Sequence, residues 1–207
     1  MKLIVISNPI DLSNEHALLG ALFEAGLEYF HLRKPDFTYH ELERYIQLIP
    51  TQYQNRVVVH SHHQLAHEYG LKGVHYTKHT PYLSFAAMEE YMHQSASFHS
   101  LEELKTLNTN FQYVFLSPVF NSISKKNYHA AFEKNDLEIF LNNQISNCEI
   151  IALGGIDEDT IKEAMRLGFD GAAVLGALWQ SADPIRKFDT LQKVCAAVNE
   201  ISNEHHV

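Results

Sequence analysis

Short apolar runs recur along this chain, each followed by a segment of helical spacing, and that alternation constrains the fold more than any other feature. Its clearest instance runs from Glu149 to Trp179. Ile150 to Leu153 is an unbroken apolar run, which suits a strand covered on both faces as in a parallel sheet. Asp157 is placed to cap a helix, Glu158 and Asp159 favour its positive end, and Ile161, Ala164 and Met165 share one face before Gly168 closes it. Ala172 to Leu175 then reads as a second buried strand.

The same rhythm extends backwards. Strands are predicted at Lys2 to Ser7, Tyr29 to Lys34, Arg56 to Ser61, Gly73 to Thr77, Ser95 to Phe98 and Tyr113 to Pro118. Helical spacing covers Asn14 to Gly26, a Thr38-capped segment carrying Leu42, Tyr45, Ile46 and Ile49, His63 to Tyr69, Ser84 to His93, and Leu101 to Leu107. It returns at Asp136 to Ile145, with Asp136 as cap, and at Phe188 to Ile201. Eight strand-helix units in 207 residues leave about 26 per unit, which predicts an α/β, single-domain (β/α)8 TIM barrel over residues 1–207. No Gly/Ser/Pro-rich linker divides the chain. The rival, an open doubly wound sheet, normally offers a Gly-x-Gly-x-x-Gly turn, and neither that nor a Walker A loop occurs.

A formal net charge of -9 and a pI near 5.8 argue against a nucleic-acid or anionic-membrane surface, because both demand a basic face. No apolar run is long enough to span a bilayer or serve as a signal peptide. Cys148 and Cys195 lie far apart and form no Cys-x-x-Cys pair. A cytoplasmic protein is expected, and homo-oligomerisation is compatible with the sequence.

In such a barrel, chemistry gathers at the carboxyl ends of the strands. There the sequence places His31, Arg33, Lys34, His60, Ser61, His62, His75, Thr77, Ser97, His99 and Ser117. The loop from Asn121 to Lys134 adds Ser122, Ser124, Lys125 and Lys126, and Gly154, Gly155 and Gly176 follow the last two strands. Glycines there, with a short helix over Ala177 to Gln180, suit a phosphate held by backbone N–H groups. Cations and hydroxyls prevail and carboxylates are missing, so an anionic, phosphorylated ligand is expected. The 14 histidines show no spacing that assembles a tetrahedral metal site, and no metal ligand is assigned. A serine nucleophile lacks its Gly-x-Ser-x-Gly elbow, and no two acids flank one bond.

Several of these segments together resemble one family: His31-Leu32-Arg33-Lys34, Gly73-Val74-His75, Ser97-Phe98-His99-Ser100, Leu116-Ser117-Pro118-Val119-Phe120 with Ser122, Ser124, Lys125 and Lys126, and Ala152-Leu153-Gly154-Gly155-Ile156. The chain is similar to thiamin phosphate synthases and to the TenI thiazole tautomerases. The first of these join hydroxymethylpyrimidine pyrophosphate to thiazole phosphate and release pyrophosphate in a magnesium-dependent substitution. The resemblance implies small phosphorylated heterocyclic substrates. It makes Arg33 and Lys125 the cations at the leaving pyrophosphate, places Ser97 near that group, and assigns Ser122, Ser124 and Gly155 to thiazole phosphate.

The sequence departs from the family where magnesium would bind. The family's Asn-Asp after the third strand is here His60-Ser61, and its second metal aspartate falls near Thr80. Hydroxyls thus stand where magnesium wants carboxylates. The family lysine two residues beyond Arg33 is Pro35, which leaves Lys34 to cover for it. The tautomerase branch also lacks the magnesium pair, but its catalytic histidine falls at Pro118, so His60, His75 or His99 would have to act as base. Synthase, tautomerase and a non-catalytic barrel that binds a thiamin precursor or product are the three functions implied.

Overall fold

The structure, a computed structural model, describes residues 1–78, 92–106, 111–121, 130–143 and 148–204. Eight parallel strands, β1 (Lys2–Ile6), β2 (Phe30–Leu32), β3 (Val57–Val59), β4 (Gly73–Tyr76), β5 (His93–Phe98), β6 (Tyr113–Leu116), β7 (Glu149–Leu153) and β8 (Gly171–Val174), close into a barrel. Each strand pairs with its neighbours in sequence, and β8 returns to β1 with Lys2 opposite Gly171 and Val5 opposite Val174. The expected (β/α)8 barrel is therefore the fold.

The helices between are α1 (Glu15–Glu24), α2 (Tyr39–Gln47), α3 (Thr51–Gln54), α4 (Gln64–Glu68), α5 (Leu101–Lys105), α6 (Lys134–Asn142), α7 (Glu158–Leu167), α8 (Gly176–Trp179) and α9 (Pro184–Glu204). Their ends follow local chemistry. Thr38 caps α2 through the Glu41 N–H while Glu41 reaches back to the Thr38 N–H, and Asp157 caps α7, which Gly168 terminates at φ 102°.

Several boundaries differ from the sequence-based expectation. His93 opens β5 rather than ending a helix, because its backbone pairs with Gly73 of β4; the preceding part of that expected helix, 84–91, lies outside the described residues. There a Cβ on residue 73 would stand 1.8 Å from the His93 carbonyl oxygen, so only glycine permits the approach. The cap of α6 is Glu133, and Asp136 sits inside the first turn, where its charge faces the positive helix end. The short α3 follows Pro50, which serves as its N-cap, and α9 begins at Pro184, ahead of Phe188. β2 stops at Leu32, which leaves Arg33 and Lys34 beyond the ladder.

Strand parity builds the core. Val5, Phe30, Leu32, Val57, Val59, Val74, Val114, Leu116, Ile150, Ala152, Ala172 and Val174 point outward into one large apolar layer shared with the helices. Ile4, Ile6, Tyr113, Phe115, Ile151 and Ala173 point inward and form a small separate cluster. Lys34 follows the outward parity of Phe30 and Leu32. Its ammonium donates to Glu15 of α1 at 2.5 Å and to the Ile10 carbonyl at 2.8 Å, with both charged side chains 0 % exposed, and Tyr45 of α2 donates to the same carboxylate.

This pair ties β2 to α1 and α2, and its loss is predictable. Lys34→Met leaves a buried, unpaired carboxylate and is expected to cost about 3–5 kcal/mol in urea unfolding, whereas the double change Glu15→Leu with Lys34→Met recovers most of it.

Candidate active site

The barrel interior has two unlike halves. β1, β6, β7 and β8 supply Ile4, Ile6, Phe115, Ile151 and Ala173, the apolar filling usual for this fold. β2 to β5 and the residues just beyond them supply His31, His60, His75, His93, Ser95 and Ser97 instead. His31 and His75 are 0 % exposed and His60 only 7 %. Their ring nitrogens pair with one another and with neighbouring hydroxyls. His31 Nδ1 lies 2.9 Å from His60 Nε2 and His31 Nε2 lies 2.5 Å from the Tyr113 hydroxyl. His75 holds Ser95 through Nδ1 at 2.8 Å and Ser97 through Nε2 at 2.7 Å. Its ring stacks on His60 at 4.2 Å, and both His31 and His75 pack on Phe115.

Burial keeps these rings neutral. The pKa values of His31, His60 and His75 fall well below the ordinary histidine value, first because of desolvation and then because neighbouring imidazoles, and for His60 and His75 also Arg33, oppose a further positive charge. His93 is held down to about 4 by burial and by Lys72 and Lys2. Burial raises the Tyr113 phenol well above its ordinary value.

Above this layer lies the mouth. Arg33 is exposed, and its backbone is fixed to the end of β1: the Arg33 N–H donates to Ser7 Oγ at 2.8 Å while Ser7 Oγ donates to the Arg33 carbonyl at 3.0 Å. His99 is exposed at the end of β5 with Nδ1 3.0 Å from the Ser117 carbonyl. A carbonyl only accepts, so Nδ1 carries the proton and the neutral ring keeps its Nε2 lone pair. Gly154 and Gly155 adopt φ of 97° and 67°, and a Cβ on residue 155 would meet the Asn121 carbonyl at 2.4 Å. Thr160 of α7 donates to the Gly155 carbonyl at 2.9 Å, and Trp179 of α8 donates to the Ile6 carbonyl at 2.7 Å, which seats Gly176 beside β1.

Of the residues singled out from sequence, Arg33, His60, Ser97, His99, Gly155 and Gly176 stand at or just inside the carboxyl end of the barrel. His31 and His75 sit deeper, in the interior network. Ser122, Ser124, Lys125, Lys126 and Thr80 lie outside the described residues. Lys34 is not available to cover for the missing family lysine, since it faces the helices and is bound to Glu15. The sequence reading missed Tyr113, Ser95 and Ser7. For Ser95 and Tyr113 the signal was parity, since they lie two residues from Ser97 and four from Ser117 on their own strands, whereas no signal marked Ser7.

Of the two positions where the family would hold magnesium, Thr80 lies outside the described residues and Ser61 offers a hydroxyl. The group of candidate metal ligands found among the described residues is made of imidazoles, whereas this hard ion wants carboxylate oxygens and water, so magnesium does not fit it. His31, His60 and His75 do bring ring nitrogens within 4.8 Å of one another. However, His60 and His75 are stacked at 25°, so their lone pairs run side by side, and both nitrogens of His75 are engaged by serines. A hydrogen-bonded network describes this cluster better than a coordination sphere.

The structure thus defines an α/β barrel that carries Arg33 at its mouth and a glycine-lined edge after its seventh strand. The comparisons narrow that class. The family described as thiamine monophosphate synthase matches residues 3–178, and the chain belongs to that family. A thiamine-phosphate synthase of Lysinibacillus sphaericus is 27% identical over 193 residues, covering 88% of this chain and 90% of the relative. One from Limosilactobacillus reuteri is 28% identical over 155 residues, covering 72% and 71%. The solved thiamine phosphate pyrophosphorylase of Bacteroides thetaiotaomicron superposes with a TM-score of 0.81 at 35% identity, covering 95% of this chain and 98% of that one.

The neutral histidines make stability depend on pH. Each is uncharged in the fold but binds a proton in the unfolded chain below about pH 6.5. These groups have no effect above that value. As pH falls from about 6.5 through the folded-state value, about 4 for His93, each lowers stability by roughly 1.4 kcal/mol per pH unit. Urea unfolding between pH 7 and pH 5 should therefore reveal proton uptake on unfolding, and His93→Gln should remove on the order of one proton from the slope.

Proposed function

We propose that this chain makes thiamin phosphate, joining hydroxymethylpyrimidine pyrophosphate to thiazole phosphate with release of pyrophosphate. The observation that carries the proposal is the exposed Arg33, whose backbone is held by Ser7 at the mouth of a barrel whose relatives bear the name thiamine-phosphate synthase. Charge collects on pyrophosphate as its bond to the pyrimidine breaks, and a cation at the mouth stabilises that charge. Lys125, by its place in the family pattern, is the second cation. The phosphate of the thiazole is assigned to the Gly155 edge with Ser122 and Ser124, and Ser97 to the pyrophosphate side. His60 lines the floor as a neutral donor and acceptor suited to a heterocycle.

Purified protein given both substrates should form thiamin phosphate, and failure across a wide range of magnesium concentrations, zero included, rules the proposal out. Arg33→Gln is expected to lower kcat/KM by about 10²–10³-fold while leaving thermal unfolding unchanged, because the side chain is exposed.

A second function, proton transfer on thiazole phosphate of the tautomerase kind, is favoured by one observation. His99 has its tautomer set by the Ser117 carbonyl and offers a basic Nε2 at the mouth, whereas His75 has both nitrogens engaged by serines. Exchange of the thiazole proton with solvent should vanish in His99→Asn; exchange at the wild-type rate in that variant rejects His99 as the base.

A further inference from the structure

The association of β1 with β2 continues past the end of their ladder. Backbone pairing stops at Ile6 and His31, with the Ser7 N–H donating to the His31 carbonyl at 2.9 Å. Beyond that point side chains take over. Ser7 Oγ closes on Arg33 twice, accepting from its N–H at 2.8 Å and donating to its carbonyl at 3.0 Å. Further along the loop after β1, the Ile10 carbonyl accepts from the Lys34 ammonium at 2.8 Å, and the Ile10 N–H donates to Asn8 Oδ1 at 3.1 Å. The segment from Ser7 to Ile10 is thus held at both ends by Arg33 and Lys34.

The Lys34 contact joins the interior to the surface. Its ammonium and the Glu15 carboxylate are both 0 % exposed, whereas Ile10, whose carbonyl the ammonium holds, is 65 % exposed. A fully buried ion pair adds little stability that an apolar pair of similar volume would not, because two charges have been taken out of water. An apolar pair could not hold the Ile10 carbonyl. Here Tyr45 of α2 fixes Glu15 through its hydroxyl at 3.0 Å, Glu15 of α1 fixes Lys34, and Lys34 holds the loop. We propose that Lys34 is a positioning residue for Arg33: through Ile10 it keeps the loop after β1 in place for Ser7 to clamp the Arg33 backbone at the barrel mouth.

Adjacent in sequence, the two cations then have separate tasks. Arg33 is exposed at the mouth, and Lys34, buried behind it, fixes the frame from which Arg33 projects. That this placement serves turnover rests on the synthase function proposed above; the hold on the Arg33 backbone does not.

In the full chain, Glu15→Leu with Lys34→Met removes the hold on Ile10 while retaining buried volume, so urea unfolding should stay close to that of the wild type. Amide hydrogen exchange, followed residue by residue by NMR, should nevertheless quicken about tenfold or more at Arg33, approaching the rate in Ser7→Ala, which cuts the clamp itself. Phe30, whose N–H donates to the Arg56 carbonyl on the β3 side, should keep its rate. In the same double variant kcat/KM for thiamin phosphate formation should fall about tenfold or more, toward the value for Arg33→Gln. Should the apolar pair not fold, Glu15→Gln with Lys34→Met, which leaves Tyr45 an acceptor, carries the same expectations. A role in stability alone predicts the opposite, with the Arg33 exchange rate and kcat/KM both returning to wild-type values once stability is recovered. A wild-type exchange rate at Arg33 in the folded double variant overturns the proposal, as does faster exchange with kcat/KM unchanged. A wild-type chain that makes no thiamin phosphate discards the synthase function, and the Arg33 exchange rate then decides by itself whether Lys34 holds the backbone.

Discussion

Half of this barrel's interior is polar, and the fold depends on how that half is satisfied. A buried imidazole with an unmatched nitrogen costs on the order of 1–3 kcal/mol, and here β2 to β5 bring several together. For His31 and His75 neighbouring side chains supply the partners. His75 uses two serines of β5, while His31 uses His60 and the Tyr113 hydroxyl. Tyr113 joins the two halves, since its ring stacks with Phe115 on the apolar side while its hydroxyl faces the histidines. Neutrality follows from the same burial, because a proton added to any one ring would be desolvated and would meet its neighbours as like charges.

The mouth is built on the same strands, one step further along. β2 contributes His31 to the interior and Arg33 to the surface, and β5 contributes Ser95 and Ser97 and then His99. A group at the mouth is thus positioned by the packing of its own strand below it, and contacts such as Ser7 with Arg33 and Ser117 with His99 complete the placement. The intervening residues face the helices. Lys34 shows how completely the two faces are separated: adjacent to Arg33, it is buried in an ion pair with Glu15.

Much of this was legible beforehand. The order of elements, the α7 cap at Asp157, its Gly168 terminus and the glycine edge at Gly155 all rest on interactions spanning a few residues, which local sequence patterns report. The boundary at His93 was not legible, because strand pairing with Gly73 decides it. The family pattern located Arg33, His60 and Ser97 at the mouth, yet it offered Lys34 as a substitute cation that the structure assigns to the helix layer. Charge alone could not separate two adjacent cations, whereas the alternation of Phe30, His31, Leu32, Arg33 and Lys34 could.

By itself, the sequence determined the number and order of the strands and the parity of each. Those properties are local, being set by side chains within a strand or one turn of helix. Only the tertiary structure decided that His31, His60, His75, Ser95 and Tyr113 meet, which of their nitrogens pair, and that Lys34 turns away. The reason is that these contacts cross from strand to strand inside a closed barrel: they exist only once closure has set the register, and sequence spacing carries no record of it.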